Sequence, residues 1–196
     1  MPTGVALRDP REQLFAAAER VLLRGGPNAL TSRAVTDEAG CAKGVLHRHF
    51  ADFDAFLAEL VLDRIARLDD LPLHDRAGTG TVADNLAAAL TEVFGPVAVA
   101  VVGLVTFRDG LRARLRAAGL PGIPLLAQAA TAVAAYLAAE RDLGRIAPDA
   151  DTDSLALSLI GSAHLLFAGG NGPPPTVEVR RIATAVVERA LIHVAR

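Results

Sequence analysis

Between Leu30 and Phe50 the chain reads LTSRAVTDEAGCAKGVLHRHF, which sets Lys43, His47, Arg48 and His49 within a few residues of one another. Thr31, Ser32 and Arg33 open the segment. At the start of a helix, free backbone N–H groups and the positive dipole end suit a phosphate. Lys and Arg side chains on a second short helix reach phosphates and guanine edges, and Val45 matches a thymine methyl. This is the chemistry of polyanion recognition rather than of bond breaking. No G-x-S-x-G, H-E-x-x-H, phosphate-binding loop or Cys/His metal spacing occurs. His47, Arg48 and His49 are adjacent and point different ways on a helix, a poor metal pair. The expectation is a non-enzyme with no cofactor and no metal.

Such residues must be held by short, well-capped helices. Asp9 caps a first helix, Pro10 suits its first position, and Glu12 stands where a capping box places an acid. Leu14, Phe15, Ala18, Val21 and Leu22 form its apolar stripe, and Gly25, Gly26 and Pro27 are expected to stop it. A second short helix follows Thr31 or Ser32, a third spans about 43–50, and Gly40 turns between them. Val35, Ala39, Leu46 and Phe50 supply the inner faces, leaving Lys43, Gly44, Val45, His47 and Arg48 outward. The pattern is a helix-turn-helix. Cys41 reads as a small apolar residue filling the turn. A fourth helix starts near Asp52 or Asp54.

Further on, helices are expected at about 81–94, 96–107, 109–118, 123–142, 151–168 and 176–195, with breaks at glycine and proline. The helix before the last is apolar on almost every face: Leu155, Leu157, Leu159, Ile160, Ala163, Leu165, Leu166 and Phe167. A helix apolar all round must be covered all round. That points to a homodimer through the last two helices.

Composition agrees with an all-α fold. Of 196 residues 52% are hydrophobic, yet only 4% are aromatic, with no Trp. The formal net charge of -2 conceals an asymmetry: residues 1–50 carry seven Lys/Arg against five acids, the remainder 13 against 17. A mildly basic start on an acidic remainder permits a polyanion at the start. The single Cys excludes a disulfide scaffold and fits a reducing compartment. No signal peptide pattern is visible, and the charge-free stretches are broken by Pro or too short against the ~20 residues a span needs. The expected location is cytoplasmic, with no membrane partner.

From about Arg11 to Val61, and most specifically over residues 30–50, the sequence resembles the TetR-type family of bacterial transcriptional regulators. The resemblance implies an all-helical dimer with a three-helix DNA-binding head, a fourth helix as connector and a helical ligand-binding body. It divides the chain into a head at 8–68 and a C-terminal ligand-binding and dimerisation domain at 69–196. It also implies a function: a repressor that releases a palindromic operator in double-stranded DNA when a small hydrophobic effector binds the body. Carried onto this sequence, the DNA-contacting positions are Thr31, Ser32, Arg33, Ala42, Lys43, Gly44, Val45, His47, Arg48, His49 and Phe53. Four depart from the family's habit. Ala42 stands where a Ser or Thr cap is common, Val45 for Thr, His47 for Tyr, and Phe53 for a phosphate-binding Lys. These losses motivate an alternative, a helical small-molecule-binding protein whose head has decayed, and lead to the expectation that Phe53→Lys strengthens DNA binding. Phe94, Val101, Leu104, Phe107, Tyr136 and His164 are candidate ligand-pocket residues. Arg112, Arg114 and Arg116 read as a solvated helix edge.

Overall fold

The computed structural model describes residues 9–69, 72–170 and 172–191. Among them the chain is all-helical: α1 (Pro10–Ala29), α2 (Ser32–Glu38), α3 (Gly44–His49), α4 (Phe53–Asp69), α5 (Val82–Val93), α6 (Pro96–Phe107), α7 (Asp109–Ala117), α8 (Leu126–Asp142), α9 (Thr152–Ala168) and α10 (Thr176–Val187). A single 3₁₀ turn spans His74–Arg76, and the only β feature among the described residues is an isolated bridge between Ile146 and Leu191. None of these helices is by itself long and apolar enough to cross a membrane.

Local chemistry sets the early boundaries. The Asp9 carboxylate accepts from the N–H of Arg11 and of Glu12, and the Thr31 hydroxyl accepts from that of Ala34. The glycine pair interrupts the regular helix of α1 where the sequence placed its stop. Gly26 takes φ 70°, ψ -175°, and one more turn runs from Pro27 to Ala29.

At the opposite end of the chain α10 stops at Val187, short of the expected 195. Beyond it the backbone finds a tertiary partner, Ala147 N donating to Ala190 O at 2.7 Å. Residues 192–195 of that expected helix lie outside the described residues, as does Arg8 at the expected start of the head.

The chain forms two compact units, each discontinuous in sequence: residues up to 64 with 100–124, and 65–99 with 125 onward. In the first unit Leu14, Phe15, Ala18, Val21 and Leu22 of α1 are buried together with Val35, Leu46, Phe50, Phe56 and Leu60. Val101, Leu104, Val105, Leu111 and Leu115, from α6 and α7, are buried in the same unit. In the second, α5, α8, α9 and α10 enclose one apolar core around Leu86, Leu90, Phe94, Val133, Leu159 and Ala183.

Candidate nucleic-acid interface

α2 ends in a Schellman turn. Gly40 sits at φ 64°, its N–H donates to Asp37 O at 3.2 Å, and the Cys41 N–H donates to Thr36 O at 3.0 Å. A left-handed backbone here is why glycine is needed. The Thr36 hydroxyl, fully buried, donates to the carbonyls of Ser32 and Arg33. Burial pushes the Cys41 thiol up from its ordinary value. α3 then starts from Lys43, one residue later than the Ala42 cap position expected from sequence, without any side-chain cap, and turns Leu46 inward.

Side chains of α2 and α3 frame a depression of about 320 Å³ lined by Ser32, Arg33, Thr36, Lys43, Gly44 and His47. Lys43, Gly44, His47, Arg48 and His49 are exposed, as are Thr31, Arg33 and Ala42, while Val45 is half-buried. The Thr31 hydroxyl is engaged as the cap. Arg33 has Asp37 one turn on at 3.5 Å, leaving it only partly free for a phosphate. α2 is pinned to α1 by Glu38, which accepts from Arg20 at 2.7 Å and from Arg24 at 2.8 Å. Both arginines hold that carboxyl below its usual range.

Phe53 is placed differently from the rest of the set. Half-buried at the start of α4, its ring stacks on Phe56 at 5.6 Å, and the Arg108 guanidinium lies over it at 5.2 Å. Phe56 in turn meets Phe50 edge-on at 5.0 Å and Phe15 at 5.6 Å. Around Phe53, Arg108 Nε donates to Asp54 Oδ1 at 2.5 Å and Arg114 Nη2 to Asp52 Oδ2 at 2.6 Å. Asp52 also accepts from the Ala55 N–H at 2.7 Å, and that bond, helped by Arg114, holds its carboxyl down. Sequence pattern gave no hint of these pairings. Asp52 and Asp54 read as caps, and Arg114 as part of a solvated edge. Only the fold brings residues more than fifty positions apart into contact.

The pocket candidates scatter. Phe94 stacks on Phe167 at 5.5 Å and lies 6.1 Å from the His164 ring, beside an apolar cavity of about 190 Å³ that Pro96 and Val99 also line. Tyr136 is elsewhere in the same unit, fully buried. It donates to Glu140 at 2.5 Å and accepts from Asn85 at 3.0 Å. Burial, reinforced by Glu140, pushes its phenol well up. Val101 and Leu104 are buried in the first unit, and Phe107, also there, is 81% exposed. Of the six, Phe94 and His164 come together in the second unit, while Val101, Leu104 and Phe107 belong to α6 in the first.

Comparison with known proteins fits this geometry. Residues 14–60 match the model of the bacterial regulatory proteins of the tetR family, a span containing α2, the glycine turn and α3. Over those residues the chain is similar to the DNA-binding head of the tetR family. No curated protein matches it. Among solved structures it is similar to a TetR-family transcriptional regulator from Agrobacterium tumefaciens, with TM-score 0.69 and 15% identity over 93% of this chain and 98% of that one. It is also similar to the fatty acid degradation regulator FadR from Bacillus halodurans, with TM-score 0.67 and 14% identity over 90% and 97%. A gamma-butyrolactone receptor, ArpA-like, aligns with TM-score 0.59 and 22% identity over 94% and 89%. These likenesses establish the TetR-regulator fold over nearly the whole chain.

Proposed function

We propose that the chain is a homodimeric, ligand-responsive transcriptional regulator, a repressor that binds a palindromic operator in double-stranded DNA. A small hydrophobic effector in the second unit would release it. The depression on α2 and α3 carries the proposal. A capped helix and a second helix presenting Lys43, His47 and Arg48 stand either side of a tight turn, on a core that fixes both. Lys43, Arg48 and Arg33 would meet phosphates or guanine edges. Thr31, Ser32, Ala42, Gly44, Val45, His47 and His49 would complete the contact surface.

Dimerisation is supported by apolar side chains left on the last two helices: Leu157 at 65%, Leu165 at 77% and Val177 at 72% exposure. A second copy would cover them and set two recognition helices about one DNA turn apart. The effector is supported by the stacked Phe94 and Phe167 beside their apolar cavity. Two structural relatives, a gamma-butyrolactone receptor and a fatty acid degradation regulator, agree with this class. Release requires the effector to bind one arrangement of the dimer better than the other. Such a protein acts in the cytoplasm and performs no catalysis.

The test is selection of bound sequences from a random duplex pool, followed by affinity for the winner against salt. An enriched palindrome whose affinity falls steeply with salt is the expected result. Absence of enrichment at low salt overturns DNA reading and leaves a small-molecule-binding protein.

A further inference from the structure

The corner between α3 and α4 is gripped from a distant part of the chain. Arg108, at the start of α7, donates to Asp54 and covers the Phe53 ring, and Arg114, two turns on, donates to Asp52. Asp52, Phe53 and Asp54 are consecutive, and Asp52 is also the residue whose carboxylate receives the N–H of Ala55 in the first turn of α4. From Phe53 the aromatic contacts run through Phe56 to Phe50, which closes α3 by donating its N–H to Leu46 O at 3.0 Å. Gly110 completes the fit. A Cβ placed there would stand 2.7 Å from Asp54 Oδ2, so any larger residue pushes that carboxylate away.

Isolated exposed pairs hold little. Here two pairs and a cation over a ring converge on three successive residues, and the arginines are only 36% and 42% exposed. We propose that Arg108 and Arg114 are positioning residues for DNA reading, fixing the α3–α4 corner and through it the orientation of the recognition helix. The proposal rests on the DNA-reading role above and adds that the reader is incomplete without α7.

The experiment compares the full chain with Arg108→Met/Arg114→Met and with Gly110→Ala. Each binds the duplex that the wild-type chain selects from a random pool, over a range of salt. Hydrogen exchange at the Phe50 and Phe56 amides is followed without DNA. The double variant should bind about 10-fold more weakly, the size of a lost charge-assisted hydrogen bond. Its salt slope should match wild type, since neither arginine touches a phosphate. Exchange at Phe50 and Phe56 should quicken while α8 amides stay unchanged. Gly110→Ala, which favours helix, should still weaken binding. Arg108→Asp combined with Asp54→Arg should restore part of the affinity.

A slope shallower by about two units would make the arginines phosphate contacts and overturn the proposal. Unchanged affinity and exchange would do so as well. If the wild-type chain selects no duplex, DNA reading itself fails, and the exchange measurement still decides whether the grip orders the corner.

Discussion

The two units are knit by different chemistry. In the first, arginine–carboxylate pairs tie element to element: Arg11 to Glu59, Arg20 and Arg24 to Glu38, Arg64 to Glu19, Arg108 to Asp54 and Arg114 to Asp52. Four of the seven Phe, at 15, 50, 53 and 56, cluster there. The second unit has such a tie between helices, Arg180 to Asp84, and otherwise relies on an aliphatic core with a polar knot set inside it. Glu140, fully buried, receives Tyr136 at 2.5 Å, Arg145 at 3.2 Å and the Gly78 N–H at 3.3 Å. Exposed pairs add little free energy each but fix direction, whereas an aliphatic core stabilises without caring much about orientation. A surface that must match the fixed spacing of a polyanion needs direction. A body that has only to enclose does not.

Truncating one buried leucine in each unit tests that contrast most strongly. Leu46→Ala and Leu90→Ala, each at a fully buried site, should cost about 3 kcal/mol apiece in denaturant unfolding. Below the melting range only Leu46→Ala should abolish duplex binding. Equal loss of binding in both would mean that orientation is not local to the first unit.

A smaller effect separates buried from exposed arginine pairs. Arg145→Met strands the Glu140 carboxylate, which has no solvent exposure of its own, and should cost about 2 kcal/mol. Arg20→Met at the surface should cost less than about 1 kcal/mol. The same denaturation curves check both.

Phe53→Lys sharpens the comparison further. Replacing a ring held between Phe56 and Arg108 removes stacking and sets two cations together. Duplex affinity should therefore fall several-fold, on the scale of ~1 kcal/mol for lost ring contacts. This reverses the expectation drawn from sequence, and titration of the variant against the selected duplex decides between them.

The smallest effects lie in pH. Glu38 and Asp52 are both held below ordinary carboxylate values, so their contribution is present above about pH 4 and drains away as pH falls through the lowered values. Glu38→Gln should flatten the acid limb of the stability profile. Tyr136 is displaced upward, so its contribution is intact below the usual phenol value of about 10 and lost as pH climbs beyond it. Tyr136→Phe should flatten the alkaline limb, measured by unfolding at a series of pH values.

What could be read from sequence divides along the same line. Caps, a glycine turn and a short apolar stripe are local, so α1 to α3 and the exposed basic residues of α3 were legible from Asp9, Thr31, Gly40 and the spacing of Val35 and Leu46. The helices of the second unit were legible in number and closely in extent, because periodicity survives in an alanine- and leucine-rich chain. The end of α10 was not, since the backbone pairing of Ala190 with Ala147 ended the helix before the expected 195. Nor were Arg108 and Arg114, whose partners lie 54 and 62 positions away. Pocket residues were hardest. Val101 and Leu104 have the same apolar character as Phe94, and no spacing tells a residue that packs a core from one that borders a cavity.

Because the first unit takes residues 100–124 from beyond a stretch belonging to the second, its completion is tied to the order of synthesis. On the ribosome α1 to α3 emerge early, yet Val101, Leu104, Leu111 and Leu115, which share their unit's interior, follow only after α5 has been made. Domains generally fold as units during translation. This one must wait with part of its apolar surface uncovered, and a nascent chain stalled before α7 would present a recognition helix on an unfinished frame.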